Sequence, residues 1–448
     1  MKKIKLLLPL WLILLYFGSI IFMIQDRQEN IASYQKLVNE ARNYVKNDVI
    51  VDAVNSYEAA MDISPSIDLA IEVGDLYLKQ ESYQEAQGWY TENLYGKYPD
   101  QPETYEYGIR MYLAQNNYCD AFIAYDEYKG RRLYSDEVEA MMEPIWYTFD
   151  LSGQYDECRP FGNISKIAAV RSGNYWGYVD TSGERVLDYI YVSAGTFGDL
   201  GAVTDQNGNA YFTDSSGNKK ITDKSILEKD PDFGKVEAFK GIESGMLWAF
   251  NGNYWNCYDA QTYEKLFGGY TDVTNIVNSI GGVKDESGKW ALIGADGKLL
   301  TDFQYDDILT DQKDVPCRTS AVIVKQGDTY VLVDTDGKQI GKAEYEDACA
   351  FFDDTYAAVK TGGKWLFVDD KGNVQDLGTY DQAESFSNGL AAVCLNGKWG
   401  YIDLNGNLVI DCQFIEAGPF CASGTAFVKP EEKEYWQILS LYKNNHES

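Results

Sequence analysis

The order of hydrophobic and polar positions changes character twice along this chain. From Leu6 to Ile24 the residues are apolar and uncharged, with Lys2, Lys3 and Lys5 before them and Gln25-Asp26-Arg27 after them. A run of that length is enough to cross a bilayer as one helix. No small-x-small cleavage site closes it, because Gly18-Ser19 is followed by Ile20-Ile21-Phe22-Met23-Ile24. An uncleaved anchor is therefore expected rather than a removed signal peptide. The basic residues lie before the run, so the positive-inside rule places the rest of the chain outside the cytoplasm. The expectation is a single-pass cell-membrane protein, with residues 1–29 as cytoplasmic tip and anchor and the bulk of the chain extracytoplasmic.

Residues 30–160 follow a helical period. Small and aromatic residues recur as Ala41, Tyr44, Ala53, Tyr57 and Ala60 before Pro65, then as Gly74, Tyr77, Ala86 and Tyr90 before Pro99. A shorter echo, "ESYQEA" at 81–86, "NNYCDA" at 116–121 and "GQYDEC" at 153–158, sets an aromatic three residues before a small one. Small residues let paired helices approach while aromatics fill the gap between hairpins. This predicts a stack of about three to four hairpins. The offsets resemble the tetratricopeptide repeat, although Ala70 stands where a large residue is usual. That resemblance implies a concave face for peptide segments or partner proteins. A short array also serves as a spacer or packing partner for a neighbouring domain.

From residue 161 to 441 the pattern becomes short β-type runs separated by Gly, Asn and Asp. One segment recurs in varied form, clearest in "GKWGYIDLNGNLVI" at 397–410. Its aromatic position is filled by Trp176, Ala210, Trp255, Trp290, Tyr330, Trp365, Trp399 and Trp436, spaced 34 to 45 residues apart. A leading strand such as "YAAV" or "LAAV" precedes it, and a third ends near Tyr305, Tyr345, Tyr380 or Phe414. Asn207-Gly208, Asn251-Gly252 and Asn396-Gly397 suit type I′ hairpin turns. Asp-x-x-Gly follows the second strand at Asp180, Asp214, Asp334, Asp369 and Asp403, where the Asp side chain caps a turn and Gly takes the left-handed position.

Each unit is therefore an antiparallel meander, and about eight of them resemble the WG, or KWG, repeats found in tandem in bacterial proteins. The resemblance implies a β-rich interaction module with no established catalytic motif. Two arrangements are expected: a propeller-like ring of about seven to eight small units, favoured because radial repetition hides sheet edges, or an open β-solenoid, which needs capping units. Residues 442–448 read as a polar tail.

Composition narrows the function. The net charge of −30 disfavours nucleic acid as a partner. The one histidine is His446, in the tail, so no His-based triad or metal site is expected in the folded part. The eight cysteines show no metal-ligand spacing and read mainly as small buried residues, with some pairing plausible and the partners undetermined. Asp334, Asp336 and Gly337 mimic the start of a calcium loop but lack the remaining ligands. Neighbouring carboxylates such as Asp306-Asp307, Asp353-Asp354 and Asp369-Asp370 point to opposite faces of a strand, so they are not catalytic pairs. The repeated Trp positions read as core, and tyrosines elsewhere as candidates for a partner surface.

No catalytic, cofactor or metal residue is assigned and no cofactor is expected. The chain is expected to be a non-catalytic scaffold for a protein or peptide partner. A cell-envelope glycan-binding module or a carboxylate glycosidase is the alternative.

Overall fold

The computed structural model describes residues 4–162, 165–353, 355–430 and 433–444, and for residues 4–15, 17, 18 and 20–22 the backbone alone. His446 and Asp354, both singled out from the sequence, lie outside the described residues. The chain forms two compact units, Met1–Trp146 and Tyr147–Ser448.

The first unit is helical: α1 (Ile4–Lys46), α2 (Ile50–Ile63), α3 (Ile67–Lys79), α4 (Tyr83–Trp89, continued by a π-helical turn over Tyr90–Tyr95), α5 (Pro102–Ala114), α6 (Tyr118–Gly130) and α7 (Asp136–Met142). Ser66, Asn117 and Ser135 cap α3, α6 and α7 by accepting from the backbone N–H three residues on, and Pro102 opens α5 without breaking a helical bond. Ala41, Ala53, Ala60, Ala86 and Ala121 have no exposed surface, so the small positions of the sequence pattern do lie at helix contacts. The fit between hairpins is reciprocal. A Cβ on Gly74 would stand 2.5 Å from the Tyr107 ring, and one on Gly108 would stand 2.6 Å from the Tyr90 ring. Each tyrosine fills the notch that the other hairpin's glycine leaves, and the two rings lie 6.1 Å apart.

Two expectations are corrected in this region. Among the described residues no helix is long and apolar enough to cross a membrane, so neither the anchor over residues 6–24 nor the single-pass extracytoplasmic placement is supported. The stretch is part of α1, which runs on without a break into the polar, packed residues up to Lys46. Most side chains of 6–24 lie outside the described residues. The third echo, "GQYDEC", is not helical either. It forms the strands Phe149–Tyr155 and Glu157–Cys158, because its Tyr155 is buried at strand period against Phe427 rather than at helical period. Cys158 thus belongs to the β unit.

The second unit consists of antiparallel meanders in seven sheets among the described residues. A typical four-stranded sheet runs Glu157–Cys158, Ile167–Ser172, Tyr175–Asp180, Arg185–Tyr191. Its first strand is a two-residue bridge, its second and third are almost wholly buried, and its fourth bulges outward. The largest sheet orders Phe149–Tyr155, Trp436–Leu441, Thr425–Pro430, Leu408–Ala417, Lys398–Asp403, Leu390–Leu395 and Gln382–Ala383, so the first strand of the unit pairs with its last. The expected closed ring is corrected. The sheets are open, each ending in edge strands, and no closed propeller ring is found. Outside the largest sheet, where Leu408–Ala417 carries the ladder from one repeat into the next, successive repeats are joined by apolar packing and side-chain contacts, as in the cluster that packs Phe367 and Tyr380 with Ala391 and Val393 of the next repeat.

Turn chemistry explains why the meanders recur. Asp180, Asp214, Asp334, Asp369 and Asp403 each accept, through one carboxylate oxygen, the N–H groups two and four residues on. The glycine three residues on is left-handed in each case, for example Gly406 at φ 80°. Of the three Asn-Gly pairs, Asn396-Gly397 alone has positive φ at both residues, as type I′ requires. Asn207 and Asn251 keep negative φ, because Asp205 and the Asn251 side chain hold those turns by accepting backbone N–H groups.

Candidate functional site

In each repeat a loop joins the first strand, most often a two-residue bridge, to the buried strand that follows. These loops come together around Gln312. One cavity of about 360 Å³ is lined by Arg159, Phe161, Gln312 and Pro419. A second, of about 370 Å³, takes residues from Phe161, Asn278, Lys313, Asp353, Asn388 and Phe420. A third, of about 610 Å³, spans Arg159, the 193–204 segment, Lys240, Glu243, Asn275 and Lys313. Gln312 lines all three.

Gln312 is brought there by a longer loop. Asp307 pairs with Lys325, eighteen residues on, whereas Gln382 pairs with Cys394, twelve residues on. The extra length is organised by Asp311, which is only 7% exposed. One oxygen accepts from the Lys313 and Val315 backbone N–H groups at 2.8 and 3.0 Å. The other accepts from Arg318 Nε and Nη2 at 2.7 and 2.5 Å, a charge-assisted contact that occupies the carboxylate. Asn275 ties this loop to the preceding repeat, donating from its backbone N–H to the Asp314 carbonyl and from Nδ2 to the Lys313 carbonyl, both at 2.8 Å.

A second set of bonds fixes neighbouring repeats at the same level. Arg159 Nε donates to the Ala194 carbonyl at 2.7 Å, Lys240 Nζ to the Val273 carbonyl at 2.6 Å, and Cys349 Sγ to the Ala383 carbonyl at 3.7 Å. In each case a side chain just past one bridge strand reaches the bridge strand of the next repeat. Tyr178 and Tyr401 add to this, donating to the Gly195 and Gly418 carbonyls at 3.0 and 2.8 Å. The loop surface is therefore held by hydrogen-bonded side chains, of which Tyr178 and Tyr401 are buried beneath it.

The residues that the sequence singled out fall mostly elsewhere. Trp176, Trp290 and Trp365 are buried, and Trp255, Trp399 and Trp436 are half-buried, so the repeated Trp positions pack within the unit. Basic side chains cover several of these rings: Arg159 stands over Trp176 at 5.1 Å and Lys284 over Trp290 at 5.6 Å. The tyrosines divide: Tyr134, Tyr175 and Tyr254 are exposed, and others belong to the core. Tyr178, Tyr258, Tyr305 and Tyr401 are fully buried, because the ring fills core while the hydroxyl reaches a partner.

The carboxylate pairs have separate structural uses. Asp306 and Asp381 each take a lysine ammonium, Lys289 and Lys364, at 2.6 Å, and those cations hold both carboxyls below the usual range. Their second oxygens accept the hairpin N–H of Gly327 and Asn396 at 2.8 Å. Asp307 accepts from the Ile308 N–H, and Asp370 from Ser320 Oγ. Asp334 uses its oxygen on the turn N–H groups of Asp336 and Lys338. Among the described residues no three His, Cys, Asp or Glu side chains group as a metal site. All eight cysteines are free thiols.

With this geometry in view, one family model, the WG containing repeat, matches residues 332–365, 378–399 and 399–433. Residues 332–433 carry WG repeats. The matched segments run through the turns at Asp334 and Asp403 and the rings of Trp365 and Trp399. The WG repeats also bring Asp353, Asn388 and Phe420 to the cavity wall, where Asn388 donates from its backbone N–H to Asp353 at 2.9 Å and from Nδ2 to the Phe420 carbonyl at 2.8 Å.

No curated protein matches the chain. Among solved structures, similarity is found to the computationally designed Ika8 protein, at 11% identity over 66% of this chain and 96% of that one, with a TM-score of 0.40. A eukaryotic initiation factor matches at 12% identity over 67% and 88%, with a TM-score of 0.42. BamB from Moraxella catarrhalis matches at 12% identity over 62% and 81%, with a TM-score of 0.34.

The sequence reading did not single out Arg159, Gln312, Lys313 or Arg318. The signal for the last three was the lengthened spacing between Tyr305 and the strand at Ala321, which no other repeat shares.

Proposed function

We propose that this chain is a non-catalytic scaffold that recognises a protein or peptide partner on the loop surface of its β unit. The observation that carries the reading is the convergence of loops from many repeats on adjoining cavities around Gln312. A single extended ligand there meets several repeats at once, which is how repeat proteins build large recognition surfaces from small units. The engagement of the neighbouring carboxylates in turns and ion pairs supports recognition over hydrolysis, since a glycosidase needs two carboxyl groups facing one bond. The WG repeats of residues 332–433 extend, on this reading, in weaker copies across 161–441. The helical hairpins are read as tetratricopeptide-like, offering a second surface for peptide segments.

Photocrosslinking in cells tests this, with a benzophenone amino acid at Gln312 in the full chain and the same group at exposed Val374 as control. A discrete protein adduct from position 312 alone is expected. Adducts absent from 312, together with co-sedimentation of the purified chain with insoluble polysaccharide, would replace the scaffold by a glycan-binding module. Glycan turnover lost on substituting one carboxylate would overturn the non-catalytic assignment.

A further inference from the structure

The next step rests on the scaffold reading and concerns what the scaffold grips. The chain has 69 acidic residues against 39 basic ones. The largest of the loop cavities reverses that balance: Arg159, Lys240, Lys313 and Arg318 line it with Asp199, Glu243 and Asp314. Two of the four cations are already answered. Arg318 is held by buried Asp311, and Lys240 lies 3.1 Å from Asp314.

The other two have no carboxylate partner among the described residues. Arg159 uses Nε on the Ala194 carbonyl, which leaves both terminal nitrogens of an exposed guanidinium for a ligand. Lys313 is half-buried, and its pKa is pulled down by desolvation first and by neighbouring Arg318 second. The Asp311 and Glu243 carboxylates offset part of this cost, and a ligand anion beside the ammonium offsets more of it. Glu243 lines the same wall, and burial pushes its carboxyl up against the pull of Arg318 and Lys313, so it offers less compensation than its formal charge suggests.

We propose that this cavity binds a single carboxylate of an acidic side chain on a partner peptide, with Arg159 and Lys313 as its cationic contacts. Asp311 answers Arg318 and Asp314 answers Lys240, so Arg159 and Lys313 are the cations left for one negative charge. A doubly charged phosphate would meet Asp199, Glu243 and Asp314 with charge to spare. A guanidinium presents the planar fork that pairs with a carboxylate, and Lys313 adds a point charge. The volume of about 610 Å³ has room for more than the charged group. Gln312, exposed at the meeting of the three cavities, carries the donor and acceptor that a peptide backbone needs.

Calorimetric titration of the full chain at low ionic strength tests this with three probes: a capped tetra-glutamate peptide, a capped tetra-lysine peptide and inorganic phosphate. The glutamate peptide is expected to bind and the lysine peptide not. Arg159→Gln and Lys313→Gln should each weaken glutamate binding about tenfold with an unchanged unfolding midpoint. Lys313→Glu should abolish it and take up the lysine peptide, a gain that misfolding cannot imitate. Absent glutamate binding, or binding that none of these variants alters, overturns the proposal. Phosphate bound as tightly with the same dependence on Arg159 and Lys313 makes this a free-anion site and overturns the peptide assignment. A partner adduct at Gln312 that persists in both glutamine variants retains the scaffold and removes the carboxylate site.

Discussion

A Cβ on Gly400 would stand 2.7 Å from the backbone nitrogen of Cys412 and also collide with the Ile410 carbonyl oxygen. The cause is a bulge: Trp399 pairs with Phe414 and Tyr401 with Ile410, so three residues arch over one glycine. Gly177 after Trp176 is alike, with the Leu187 carbonyl oxygen 2.8 Å from its absent Cβ. In two repeats where the residue after Trp is larger, a glycine sits on the arching strand. Asn256 is faced by Gly268, and Leu366 by a bulge containing Gly378. In these four repeats a glycine on one strand or the other relieves the close crossing.

Gly400→Ala should therefore destabilise the β unit by about 2–3 kcal/mol, since backbone rather than a flexible side chain blocks the methyl. Gly173→Ala, at a turn with open space around it, is expected to cost about 1 kcal/mol through its positive φ alone. Urea unfolding of both variants checks this order. Equal losses would contradict it.

In the helical unit, Gly108→Ala drives a methyl into the Tyr90 ring and should cost about 1–3 kcal/mol. Tyr90→Leu opens the same space and by itself leaves a cavity. The double variant is expected to be more stable than the sum of the single losses predicts, with a coupling of about 1 kcal/mol. Additive losses in thermal unfolding would mean that the two residues do not meet.

Glu384, just past the bridge strand Gln382–Ala383, has its carboxyl pushed by burial up to about 7, with the Cys349 thiol and Tyr401 as neighbours. A free glutamate titrates near 4.3. Between those values the folded protein keeps a proton that the unfolded chain releases. This group's contribution therefore falls as pH rises from about 4.5 to about 7 and is level beyond that window. The difference in unfolding free energy between Glu384→Gln and the parent should grow in favour of the variant by on the order of 2–3 kcal/mol across it. A difference that stays flat with pH would exclude the buried carboxyl.

All eight cysteines should react with iodoacetamide in denaturant without prior reduction, and mass spectrometry should find the same eight adducts after reduction. In the folded protein Cys257 and Cys349 are expected to react slowest, since burial raises both thiol pKa values and withholds the thiolate. Fewer adducts before reduction would reveal a disulfide.

The repeat unit was legible in the sequence because its signals are local. An Asp and a Gly three apart close a turn whatever lies around them, and Ala-Ala-Val beside Trp reports burial at strand period. The Asn-Gly turns were read less well, since Asp205 and the Asn251 side chain, not the dipeptide, decide two of the three conformations. "GQYDEC" misled because an aromatic three residues before a small one fits a helix and a short strand alike, and pairing with Trp436–Leu441 decides it. The charged cavity was invisible for a different reason. Arg159 and Lys240 share a repeat position that Cys349 and Glu384 fill elsewhere, and Lys313 lies in the lengthened loop, so no single periodic pattern joins the three. The length of the 311–318 loop was the one readable hint.

The pairing of Phe149–Tyr155 with Trp436–Leu441 also sets a timetable. On a ribosome adding about 5–20 residues per second, the earlier strand emerges roughly 15–60 s before its partner exists. Throughout that interval its ladder groups face water or a chaperone, and a nascent chain that stops short of Trp436 leaves them so for good. Completion of this unit is thus a late event in its synthesis, because its first strand waits for one made about 280 residues later.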